Sequence, residues 1–226
     1  MTRREKTIAA FALLALIVVV DQIVKVYVKT HFFLGESVEV FSWFQIRFIE
    51  NNGMAFGLEL FNKIILTVFR ILAVGALGYY LYRILRKNLP LGYVLCVAAL
   101  VAGALGNIID CVFYGVTFSA SYPAYSGQFP IVAEAFPTDG GYSTWFYGKV
   151  VDMLYFPLID TTLPMWIPFI GGNHFTFFDP VFNIADSAIC VSIFWMLIFQ
   201  NKTLKEEFKE DEKELKKGGV EMRKYK

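Results

Sequence analysis

The sequence predicts an all-α membrane protein of four transmembrane helices with both termini cytoplasmic. Three observations carry that reading. Hydrophobic residues make up 56% of the 226 and charged residues only 18%, with a mean hydropathy of +0.50; a soluble domain is nearer ~45–50% apolar and ~25% charged. Four stretches approach the ~20 mostly apolar residues that a span requires: about 7–29, 63–82, 91–113 and 180–199. The Lys and Arg residues, finally, gather on one side of those four spans. An apolar, aromatic-rich chain (17% Phe, Trp and Tyr) with a net charge of +1 is a poor match for a soluble globular, disordered or nucleic-acid-binding protein.

Each element follows in order. The first stretch opens on Arg3, Arg4 and Lys6 and runs apolar from Ile8 to Val20, as a signal peptide would. No small-x-small cleavage site follows, and the helix continues through Asp21, Gln22 and Lys25, so it reads as a retained span. The connection 30–62 alternates apolar and polar at residues 37–41 and 44–48, which predicts two short strands with a turn between them. Span two carries Arg70 two turns from its outer end, either snorkelling outward or pairing with an Asp. The connection 114–179 is rich in Gly, Pro, Tyr, Phe and Ser; its length calls for structure or function of its own. Residues 1–200 read as one membrane domain and 201–226 as a charged cytoplasmic tail, a solvated helix or a disordered segment. Of the 21 Lys and Arg residues, fifteen lie before span one, between spans two and three (Arg83, Arg86, Lys87), or in the tail. The positive-inside rule puts those three regions in the cytoplasm, and 30–62 and 114–179 outside. Basic residues in the tail are also able to touch anionic membrane lipid.

Ionisable groups at membrane depth are costly and point to function. Asp21 and Lys25 share a face of span one. Asn107 and Asp110 lie one turn apart near the outer end of span three, and Asn183 precedes Asp186 by one turn in span four. Asp152 stands in the apolar run 150–156 of the outer connection. The topology brings all of these to one depth, near the outer leaflet. Cys96, Cys111 and Cys190 are scattered in apolar surroundings, and two His residues, His31 and His174, are too few for a histidine-based metal centre, so no metal and no cofactor is expected. With no Ser-His-Asp arrangement, no HExxH and no phosphate-binding glycine loop, a pair of carboxylates remains. Two neighbouring carboxyls at low dielectric share a proton; one activates water while the other protonates a carbonyl oxygen. That chemistry hydrolyses a peptide, and the residues alone do not select the pair.

Five blocks of this sequence resemble the lipoprotein signal peptidases, the type II signal peptidases of bacteria. They are residues 21–25 (DQIVK), 51–57 (NNGMAFG), 103–110 (GALGNIID), 150–152 (VVD) and 182–187 (FNIADS), in that order. The resemblance implies an aspartyl endopeptidase of the bacterial inner membrane. Such an enzyme removes the signal peptide from prolipoproteins by cutting just before a Cys that already carries diacylglycerol. Carried over by motif, Asp152 and Asp186 are the catalytic dyad. Asn51, Asn107, Asp110 and Asn183 hold substrate backbone and orient the dyad, and Asp21 with Lys25 supports the site. The resemblance also implies a small periplasmic β-cradle, which suits the strand pattern at 37–48, and inhibition by globomycin-type compounds.

Two departures from the family pattern stand out. Cys111 occupies the place after Asp110 where the family usually has Arg, so Arg70 or Lys149 is a candidate replacement partner for Asp110 or Asp152. The stretches 115–149 and 153–180 are extended; Ser126-Gly127-Gln128 and Asp139-Gly140-Gly141 supply turns, and Pro123, Pro130 and Pro137 argue against one long helix. These inserts are expected to form a lid or wall at the substrate entrance. Two rivals exist: a proton relay or transporter, which needs carboxylates at several depths, and a non-catalytic lipoprotein scaffold, which does not need both Asp152 and Asp186.

Overall fold

A computed structural model of the chain describes residues 1–52, 63–124 and 129–224. The block at 53–57 and the turn at 126–128 lie outside the described residues. Helix α1 spans Arg3–His31; strands β1 (Ser37–Phe41) and β2 (Phe44–Asn51) follow, then α2 (Lys63–Leu85) and α3 (Leu91–Thr117). Strands β3 (Val150–Tyr155), β4 (Ile159–Thr162), β5 (His174–Phe177) and β6 (Val181–Phe182) precede α4 (Ile184–Phe199) and α5 (Asn201–Lys224).

Helices α1, α2 and α3 are each long and apolar enough to cross a membrane. α1 starts on a capping box, in which the Thr2 side chain accepts from the Glu5 amide and Glu5 accepts from the Thr2 amide. α3 is the central helix, packed by α1, α2 and α4, and most of its length is buried. Its neighbours turn Phe11, Phe69, Leu72 and Phe194 outward, as lipid-facing helices do. The fourth predicted span needs correction. Residues 180–183 are extended rather than helical, because β6 pairs with β3 and Asn183 caps α4. α4 alone has 16 residues, and at 1.5 Å each it is shorter than a bilayer core. It completes a fourth span only together with the start of α5, from which it is bent by 88°. The charged tail is helical rather than disordered over its described length.

At the other end of the bundle from α5, β1-β2-β3-β6 form an antiparallel sheet, the small sheet expected beside the helices. The two predicted strands at 37–48 are present, with β2 running on to Asn51. β3 is buried along nearly its whole length. The insert 115–149 is no plain surface loop. After α3 ends at Thr117, the chain doubles back along that helix: Ser143 N–H donates to Gly115 O, Phe146 N–H to Val112 O and Gly148 N–H to Cys111 O. A Cβ at Gly148 would lie 2.0 Å from Asp110 O, so only glycine permits that approach. Phe118 and Ala133 from this segment join Val28, Phe48, Tyr114, Val151 and Met153 in one core. A second core sits at the far end of the bundle, around Ala10, Ile84, Tyr93, Val97 and Met196. The insert 153–180 instead carries the β4–β5 hairpin, whose tip exposes Trp166 and Phe169.

Candidate active site

The eight polar residues singled out in the sequence meet in one connected network where α1, α3, β3 and α4 converge. Its centre is Asn183. As N-cap of α4, its Oδ1 accepts from the Asp186 N–H at 2.9 Å. That fixes the orientation of the amide, and Nδ2 must face the other way. It donates to Asp152 Oδ1 at 2.7 Å and to Asn107 Oδ1 at 3.1 Å. The Asp186 carboxylate closes the capping box on the Asn183 N–H at 3.4 Å. One asparagine therefore starts the helix and ties Asp152 to Asp186.

Asp152 sits mid-strand on β3, buried, and its second oxygen accepts from Asn51 Nδ2 at 3.2 Å. Asp186 is half-buried and accepts from Asn107 Nδ2 at 2.8 Å. The orientation of Asn107 is likewise decided, by a charge. Lys25 Nζ can only donate, so the Asn107 oxygen turns to it at 2.8 Å and the NH2 is left to face Asp186. Lys25 is fully buried between Asp21 at 3.0 Å and Asp110 at 2.8 Å. The cation partner of Asp110 is thus Lys25, not Arg70 or Lys149. Arg70 donates to Cys111 Sγ at 3.3 Å, towards the outer end of α3, and Lys149 pairs with Glu50. Asp21 also accepts the Ala185 N–H at 2.9 Å, and Asp110 accepts the Val151 N–H at 3.3 Å. These two carboxylates pin the start of α4 and the start of β3, the elements that carry Asp186 and Asp152.

Burial, and then the charge of Asp186, push the Asp152 carboxyl up to about 7. A carboxyl so placed holds a proton at a pH where an ordinary one has lost it. Among the described residues, no three His, Cys, Asp or Glu side chains converge to hold a metal ion.

Sequence reasoning missed several members. Gln22 Nε2 donates to Asp110 at 2.9 Å, and its oxygen accepts from Tyr114 at 3.1 Å. Lys29 pairs with Glu50 at 2.5 Å, both buried. The signal for Lys29 was present: Asp21, Lys25 and Lys29 recur every four residues on one helix face.

Residues 13–201 match the sequence profile of Signal peptidase (SPase) II. The chain belongs to the lipoprotein signal peptidase family. Among its relatives, the lipoprotein signal peptidase of Porphyromonas gingivalis is 50% identical over 194 residues, 85% of this chain and 83% of that one. The lipoprotein signal peptidase of Amoebophilus asiaticus is 33% identical over 201 residues, 85% of this chain and 77% of that one. Two solved chains share the fold. A bacterial membrane enzyme solved by the in meso method at 2.3 Å resolution aligns with a TM-score of 0.55 at 21% identity, covering 88% of this chain and 90% of that one. A second, at 1.9 Å resolution, gives 0.53 at 23%, covering 84% and 90%. This lipoprotein signal peptidase family member is therefore a multi-pass membrane protein, and the network described above is its candidate active site.

Proposed function

We propose that this chain removes the signal peptide from diacylglyceryl-modified prolipoproteins, cutting just before the lipidated Cys with Asp152 and Asp186 as an aspartyl dyad. The observation that carries the reading is Asn183, whose side-chain amide donates to the Asp152 carboxylate and whose backbone N–H donates to the Asp186 carboxylate, with Asp152 raised into the neutral range. Two carboxyls sharing one proton divide the work of hydrolysis. The ionised member takes a proton from water as its oxygen attacks the scissile carbonyl. The protonated member gives its proton to the carbonyl oxygen, and the tetrahedral species collapses as the leaving amine is protonated. The pair titrates as a unit, so acid and base are assigned to neither member. Asn51, Asn107 and Asn183 hold the carboxylates, Asp110 and Asp21 anchor the elements beneath them, and Lys25 offsets the charge of those two acids.

The site faces the periplasmic leaflet of the inner membrane in this reading. Supporting it, the basic regions gather at the end away from the site: Arg3 Nε donates to Leu85 O at 3.0 Å, Lys6 to Leu89 O at 2.7 Å, and Lys87 pairs with Glu207 of α5 at 2.7 Å. Globomycin-type inhibitors are expected to compete for the same site. The test is a cleavage assay in vesicles with a purified prolipoprotein, offered with and without its diacylglyceryl group. Cleavage of only the lipidated form, lost in Asp152→Asn and in Asp186→Asn, is expected. Survival of activity in either variant would reassign the dyad, and a wild type that cuts neither form would remove the reading altogether.

A further inference from the structure

On the far side of β2 from the dyad lies a second polar cavity. Successive residues of a strand point to opposite faces. Asn51 reaches Asp152, while Glu50 on the other face lines a cavity of about 380 Å³. Lys63, the first residue of α2, and Lys149, from the insert, stand at its edges with Asn52, Ser143 and Tyr147. Lys29 lies buried beneath, two residues before the end of α1. The charges do not balance. Among the described residues lining the cavity, Glu50 is the one carboxylate, and both of its oxygens are taken: one by Lys29 at 2.5 Å and the other by Lys149 at 2.9 Å. Lys63 reaches the neutral Asn52 oxygen at 3.3 Å. Among the described residues, three ammonium groups thus face one carboxylate, beside the hydroxyls of Ser143 and Tyr147.

We propose that this cavity binds a phosphate group, the headgroup phosphate of an anionic lipid, between Lys63 and Lys149. Three features favour a phosphate. Its several oxygens use both ammonium groups and the Ser143 and Tyr147 hydroxyls together, more than one carboxylate accepts. The surplus charge is positive. The cavity also lies where α1 and α2 leave the membrane, the level of lipid headgroups and of interfacial tyrosines. A bound phosphate links α2 to the insert across the strand that carries Asn51.

The test uses the full-length protein in neutral detergent and reads binding alone, so it stands or fails separately from peptidase activity. Inorganic phosphate is titrated calorimetrically against the wild type, the Lys63→Gln/Lys149→Gln double variant and the Lys63→Arg/Lys149→Arg double variant. Saturable binding is expected in the wild type and the Arg pair, weakened about tenfold or more in the Gln pair. Native mass spectrometry after incubation with phosphatidylglycerol identifies the source. One retained lipid that phosphate displaces establishes the headgroup. Phosphate binding without lipid retention makes free phosphate the ligand and overturns the lipid assignment. Equal binding by wild type and Gln pair, absence of binding, or preferential competition by an acidic peptide would overturn the site.

Discussion

Two buried lysines, one helical turn apart on α1, head two different kinds of region. Lys25 sits among acceptors: Asp21, Asp110 and the Asn107 oxygen, with the dyad one hydrogen bond further on. Lys29 shares its carboxylate with Lys149 and is otherwise surrounded by the rings of Phe48, Phe118 and Tyr142 and the Ser121 hydroxyl. Around Lys25 carboxylates outnumber cations; around Lys29 the reverse holds. Burial alone would raise the Glu50 carboxyl, yet Lys29 and Lys149 overcome it and hold Glu50 below the ordinary range. Asp152, with amides as direct partners and another carboxylate nearby, moves the opposite way. What separates the two is the local count of charges, since both regions are buried.

The strongest way to break this contrast is at the dyad. Asp152→Asn and Asp186→Asn keep shape and remove the shared proton, so each is expected to cost ~10²–10⁴-fold or more in cleavage rate while the thermal transition persists. Next come the lysines. Lys25→Met strands two buried carboxylates and is expected to destabilise by about 3–5 kcal/mol. Lys29→Met leaves Glu50 its bond to Lys149 and should cost about 1–3 kcal/mol. Equal losses in detergent unfolding experiments would erase the distinction. A pH series sharpens it further. Because the Asp152 pKa is raised on folding, its stabilising contribution is full below the ordinary carboxyl range and is lost as pH rises through about 7. That slope should vanish in Asp152→Asn, and turnover should fall as pH climbs past about 7. Smallest is Cys111→Ala, which removes only a weak sulfur acceptor for Arg70 and should cost about 1 kcal/mol or less.

Much of the site was legible in the sequence because intramembrane polar residues are rare. Asp21, Lys25, Asn107, Asp110, Asn183 and Asp186 stand out against apolar helices, and helical spacing sets their faces. Gln22 was harder to see: it is uncharged beside Asp21, and its two partners, Asp110 and Tyr114, come from α3, far along the chain. Glu50 lies beyond the alternating run 44–48, and its partners Lys29 and Lys149 come from α1 and from the insert, distant in the chain. The fold showed the same division. Spans one to three follow from hydropathy. The late start of α4 depends on β6 pairing and on the Asn183 cap, and hydropathy is blind to both. The path of 141–148 along α3 rests on glycines at 115, 141 and 148, whose value lies in close approach rather than in any pattern along the chain.

The Asn183 cap also sets a date of birth for the activity. The chain is synthesised from Asp21 towards Asp186, and α4 is the last of the bundle helices to emerge. Until it docks on α3, through the tight contact where a Cβ on Gly103 would lie 2.4 Å from Ala185 O, Asp152 lacks both its partner carboxylate and the Asn183 side chain that donates to it. On the proposed chemistry, the growing chain is harmless to itself and to its neighbours during insertion.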